Sequence, residues 1–142
     1  MSRSVAIEPV RSVSDQRGLV AEPMGADLLP AQRNVHLVLT EPGQVRGNHY
    51  HMCGTEITLV LGPAVFCYRE GATVHEVELA AGQAYRITIA PGIAHAFQNP
   101  GPGVLILIGF NTEPHDPAQP DVVRDVLIEP GPVAQTIRPG AP

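Results

Sequence analysis

Lysine and tryptophan are absent from this chain, and aromatic residues make up only 4% of it. All nine basic residues are arginine, they form no run, and the formal net charge is −5. Binding to nucleic acid through phosphate neutralisation is therefore not expected. Two cysteines are too few for a disulfide scaffold. No apolar run approaches the roughly 20 residues of a spanning helix, so no membrane partner is expected. Met1–Val10 includes Arg3 and Glu8 and has no continuous apolar stretch, which argues against a signal peptide. A cytoplasmic globular protein is the remaining expectation. At 142 residues and 44% apolar content the chain makes one domain with enough side chains for a packed core.

Turn-forming residues, by contrast, are plentiful, with 14 glycines and 15 prolines. They cluster as Glu41-Pro42-Gly43, Gly62-Pro63, Glu70-Gly71, Ala81-Gly82, Pro91-Gly92 and Asn99-Pro100-Gly101-Pro102-Gly103. Between them lie short runs of period two: Val35–Thr40, Thr55–Leu61, Val65–Arg69, Val74–Leu79 and Tyr85–Ile89. Val104–Ile108 is apolar at every position, which predicts a strand buried on both faces. Val122–Ile128 is a further strand candidate. Ala21–Ala31 has room for one short helical turn, limited by Pro23 and Pro30. Strands at this spacing predict an all-β sandwich or barrel. Residues 1–14 read as a peripheral arm, and the Pro/Gly-rich residues 130–142 as a loose tail.

The chemistry concentrates in histidine. His49 and His51 are one residue apart, so in an extended segment both rings point to one face. Glu56 follows at the start of the next strand, where it shares a face with Thr58 and Val60. His95 comes after the Pro91-Gly92 turn. Three imidazoles and a carboxylate make a plausible site for one divalent transition metal. Zinc, iron, manganese, nickel and copper all accept this donor set. The plain alternative for an isolated His-x-His is a surface or hydrogen-bonded pair. Cys53 lies between His51 and Glu56, where it is either a soft ligand or, as we read it, a plain loop cysteine. A Cys53–Cys67 bridge needs an oxidising compartment. His36 reads as a core or interface histidine, although its strand phase also allows it to face the barrel interior. His75 and His115 read as surface residues.

The spacing resembles the cupin superfamily. The first cupin motif appears as Gly43, His49-Tyr50-His51, Glu56 and Gly62, and the second as Gly82, Ala90-Pro91-Gly92, His95 and Asn99. The resemblance implies an antiparallel jelly-roll cupin barrel with His49, His51, Glu56 and His95 pointing inward, often as a homodimer. Asp15-Gln16-Arg17-Gly18 and Arg46-Gly47-Asn48-His49-Tyr50-His51 are similar to the nucleotide-sugar branch. That branch includes rhamnose-type epimerases, sugar 3,4-ketoisomerases and the cupin domain of capsular-polysaccharide reductase/epimerases. The last of these is most similar, through Arg46–His51, Phe110–Pro117 and Pro120-Asp121.

The branch implies proton abstraction beside a carbonyl of a small-molecule substrate. Arg46 would then hold a diphosphate or stabilise an enolate. Phe97 reads first as barrel packing, although its place on the His95 face also allows it to line the cavity mouth against substrate. The plain alternative for Arg46 is a surface charge or an ion pair with Asp15 or Glu41. In a metal-free enzyme His49 would be the base, but a lone pair given to a metal is unavailable to a proton. Two departures from the rhamnose type favour a metal: His51 stands where that enzyme has glutamine, and Phe110 where it has a tyrosine acid. The leading expectation is a metal-binding isomerase or epimerase. The alternatives are a mononuclear metal dioxygenase and a non-catalytic small-molecule-binding cupin.

Overall fold

The computed structural model describes residues 4–132 and 135–140. Twelve strands follow in chain order: β1 Val5–Val10, β2 Ser12–Asp15, β3 Gly18–Ala21, β4 Asn34–Thr40, β5 Val45–His51, β6 Glu56–Leu61, β7 Ala64–Glu70, β8 Thr73–Leu79, β9 Ala84–Ile89, β10 His95–Gln98, β11 Leu105–Asn111 and β12 Val122–Arg124. A single 3₁₀ turn, Leu29–Ala31, fills the expected helical position, with Pro30 in its first turn. No α-helix forms among the described residues, and none is long and apolar enough to cross a membrane.

Two five-stranded antiparallel sheets face each other. Their orders are β1-β9-β6-β11-β4 and β12-β5-β10-β7-β8. Sequence neighbours such as β5 and β6 lie in opposite sheets, which is the crossing pattern of a jelly roll. The fold is an all-β antiparallel cupin-type barrel. The inward positions of the two sheets meet in a core that includes Val60, Phe66, Leu79, Ile87, Ile89, Phe97, Leu105 and Leu107. Phe66 stands at its centre, fully buried, with its ring 4.7 Å from Phe97 and 5.4 Å from Tyr68. Each such side chain contributes roughly 1.5–3 kcal/mol by leaving water.

Three sequence expectations need correction. The N-terminal segment is not a peripheral arm throughout, because Val5–Val10 pairs along its whole length with β9. Val104–Ile108 is not buried on both faces, since Ile106 and Ile108 are 52% and 37% exposed. No described element covers the outer face of β4 and β11, so the apolar outer positions meet solvent. The strand expected over Val122–Ile128 ends at Arg124. The remainder is strapped down by side-chain bonds described below. Residues 130–132 and 135–140 carry no regular structure.

Candidate metal centre

Strand β5 carries two ligand candidates and a bulge that aims them. Gly47 and Asn48 both adopt left-handed backbone, with φ of 95° and 57°. The register with β10 slips there, so His49 pairs with His95 while Gly47 pairs with Ala96. One extra residue in β5 resets the alternation of side chains. As a result Arg46 and His49, of opposite sequence parity, line the same cavity. Gly47 is further constrained by space, because a Cβ there would sit 2.9 Å from the His95 carbonyl oxygen.

Asn48 holds the bulge in place. Its buried amide donates to the Ile128 carbonyl at 2.8 Å and accepts from the Leu127 and Ile128 N–H groups at 2.9 and 3.1 Å. The Asn48 backbone carbonyl accepts from Asp125 N–H, and Arg69 donates to the Asp125 carboxylate at 3.1 Å. The segment after β12 is thereby tied across β5.

His49, His51, Glu56 and His95 converge as the sequence predicts. One potential ligand atom from each lies within 4.8 Å of all the others. His51 Nε2 is 2.7 Å from Glu56 Oε2, and His95 Nε2 is 3.4 Å from the same oxygen. The His49 ring centroid lies 5.2 Å from that of His51 and 4.9 Å from that of His95. Thr58 donates to the other Glu56 oxygen at 2.6 Å. The second nitrogens are also engaged. His95 Nδ1 lies 2.9 Å from the Ile93 carbonyl, an acceptor, so Nδ1 carries a proton, and Nε2 is the nitrogen turned toward Glu56. His51 Nδ1 lies 3.7 Å from the Asp121 carboxylate.

The electrostatics suit a cation. Burial, and then the neighbouring His95, push His49 down to about 4, so it is a neutral donor at pH 7. Burial pushes Glu56 upward, but the bonds from His51, His95 and Thr58 outweigh it and hold the carboxyl well below its ordinary range. Burial acts to lower His95, and the Glu56 carboxylate reverses this to a net rise. Two imidazoles aimed at one buried carboxylate form the set a divalent ion would replace with four bonds. The donors therefore fit a transition metal.

The cavity beside the cluster is small, about 40 Å³, and is lined by His36, Arg46, Phe97, Leu107 and Gly109 with three of the cluster residues. Arg46 reaches it, and no ion pair to Asp15 or Glu41 forms among the described residues. Asp15 instead pairs with Arg17 at an exposed hairpin tip. Phe97 is 3% exposed and packs on Phe66, in keeping with barrel packing, so it forms the cavity floor and not its mouth. Cys53 is exposed, outside the cluster, and its thiol is pushed up by Asp121. Cys67 is buried, and both thiols are free. His115 is exposed, as expected, whereas His75 is half-buried against Tyr68.

One residue escapes the sequence reading and another takes its second alternative. His36 is not a core histidine: as its strand phase allows, it borders the cavity from β4, opposite Gly109. Asp121 approaches His51 while accepting the Cys53 and Gly54 N–H groups at 2.9 Å each. Its only sequence signal is its place in Pro120-Asp121.

This geometry coincides with clear relationships. The model of the polysaccharide biosynthesis C-terminal domain family matches residues 13–123. The chain belongs to this family. Among solved structures, the capsular polysaccharide assembling protein CapF from Staphylococcus aureus is 26% identical, with a TM-score of 0.61. The match covers 83% of this chain and 33% of CapF, so the chain spans about a third of that protein's length. QdtA, a sugar 3,4-ketoisomerase from Thermoanaerobacterium thermosaccharolyticum in complex with TDP, shares the fold at 19% identity and a TM-score of 0.68, over 88% of this chain and 90% of its own. A dTDP sugar isomerase from Desulfovibrio desulfuricans does so at 16% and 0.69, over 86% and 83%. No curated protein matches in sequence.

Proposed function

We propose that this family member is a metal-dependent isomerase or epimerase acting beside the carbonyl of a nucleotide-linked sugar. The observation that carries the reading is one cavity in which the Arg46 guanidinium meets His49, Glu56 and His95, three members of the four-residue cluster. His49, His51, Glu56 and His95 would hold one divalent ion. When bound, that ion supplies Lewis-acid polarisation of a substrate oxygen. Arg46, a permanent cation with a fork of donors, would bind the diphosphate or balance the charge of an enolate. Phe97 and Leu107 exclude water from the cavity floor, which strengthens both interactions. The likeness to CapF and to sugar ketoisomerases supports this substrate class.

The test is incubation of the metal-loaded protein with TDP- and UDP-4-keto sugars in deuterated water. Deuterium uptake next to the ketone is expected, and its absence with every keto sugar would overturn the reading. The same donor set favours a second reading, a mononuclear dioxygenase. Oxygen consumption after anaerobic Fe(II) loading would support that one, and turnover without oxygen would remove it.

We also propose a homodimer. The outer face of β4 and β11 presents Leu37, Leu39, Ile106 and Ile108 to solvent on an edge strand without a charged residue. Sedimentation equilibrium checks this, with Leu37→Glu expected to give a monomer.

A further inference from the structure

The proposed metal occupies most of the proton-carrying groups of the cavity. Its titratable lining is His36, Arg46, His49, Glu56 and His95. With His49, Glu56 and His95 binding an ion, their lone pairs cannot also accept a substrate proton. A guanidinium does not give up its proton in proteins. One imidazole remains, that of His36.

The fold makes room for this ring. His36 pairs with Gly109 across β4 and β11. A Cβ at position 109 would collide with Cε1 and Nε2 of the His36 ring, so a glycine there lets the imidazole lie across the neighbouring strand. His36 borders the cavity on the same side of β4 as Val38 while remaining exposed to solvent, and Val35, Leu37 and Leu39 lie on the outer face. It makes no hydrogen bond or ion pair among the described side chains, unlike His51 and His95. It also borders an adjoining pocket of about 160 Å³, which is lined by Asn111, Glu113, His115, Asp116 and Asp121 among others. His36 therefore lines both the cavity and an adjoining pocket whose volume accommodates part of a sugar.

We propose that His36 is a catalytic residue, the group that carries the proton in the isomerisation. This rests on the isomerase reading above. The neutral imidazole takes the proton from the hydroxyl-bearing carbon beside the ketone. The C–H pair becomes the double bond of an enediolate, and the carbonyl π pair moves to oxygen, opposite Arg46. The hydroxyl proton of the enediolate passes to its alkoxide oxygen. The proton on His36 then returns to the former carbonyl carbon. The ketone has moved by one position and the imidazole is neutral again, so nothing is gained or lost.

The test uses His36→Gln and His36→Ala in the full chain, with TDP-4-keto-6-deoxyglucose in deuterated water. Both variants are expected to keep the wild-type metal content. Both should lose deuterium exchange by about 10²–10⁴-fold, and added imidazole should restore part of it in His36→Ala. Exchange within threefold of wild type in the variants would overturn the role of His36 and leave the isomerase reading intact. No exchange in the wild type would overturn both. A readout independent of turnover is the His36 imidazole resonance of the metal-free protein. It should shift on addition of the same sugar nucleotide, and an unmoved resonance under saturating ligand contradicts contact with substrate even if the variants fail to fold.

Discussion

The Asp121 carboxylate lies 3.7 Å from His51 Nδ1, on the side of the ring opposite Glu56. At that distance the contact is electrostatic rather than a hydrogen bond. The carboxylate is itself fixed by the Cys53 and Gly54 N–H groups, which, against some cost of burial, hold its pKa below the ordinary value. A carboxylate behind a ligand histidine sets the ring's tautomer and basicity. Asp121→Ala should therefore weaken metal binding by roughly 10–100-fold, with Asp121→Asn between the two. Competition with a chelator measures this, and unchanged affinity in the alanine variant would remove Asp121 from the site.

Asn48 joins the bulge to the segment after β12. Asn48→Ala should cost on the order of 2–4 kcal/mol, combining lost buried hydrogen bonds with a side chain placed at positive φ. Asn48→Gly should recover only the backbone part. Urea denaturation separates the two. Equal stability of wild type and the glycine variant would show that the strap contributes nothing.

The metal-free protein should be most stable near pH 6.5. His49 has a folded-state pKa of about 4, below the 6.5 of the unfolded chain. The unfolded state therefore takes up the proton first, and stability is lost as pH falls from about 6.5 to 4. Glu56 acts in the same direction below its unfolded value, since its pKa is lowered on folding. His95 is raised, so its contribution is full below 6.5 and is lost as pH rises through the folded value. Urea midpoints at several pH values check this. His49→Gln should flatten the acid limb, and an acid limb unchanged in that variant would contradict the assignment.

Gly109→Ala should displace the His36 ring without touching a ligand. The expected result is retained metal with deuterium exchange reduced in the same direction as in His36→Gln. Full exchange in this variant would show that the ring's position does not matter.

Much of this arrangement is legible in the sequence, for local reasons. Period two and the Gly/Pro turns mark the strands because each strand buries one face. Val65–Arg69, for example, lies within β7. The convergence of the four side chains is legible because His49-Tyr50-His51, Glu56 and His95 sit at or near strand ends, where turns leave few conformations. What is hidden depends on pairing between distant segments. Whether Ile106 is buried depends on what covers the sheet, and periodicity carries no sign of that. The inward turn of His36 depends on Gly109 across the sheet, and the role of Asp121 on a loop returning to β5. The bulge left a trace in Gly47-Asn48, two residues that tolerate positive φ, yet only the register with β10 reveals that it brings Arg46 and His49 together.

The four side chains from β5, β6 and β10 are most directly tested by elemental analysis of freshly purified protein without a histidine tag. One transition-metal ion per chain is expected, and its loss in a folded His49→Ala/His51→Ala double variant. A wild-type protein that carries no transition metal, and takes none up when reconstituted, would contradict the metal centre.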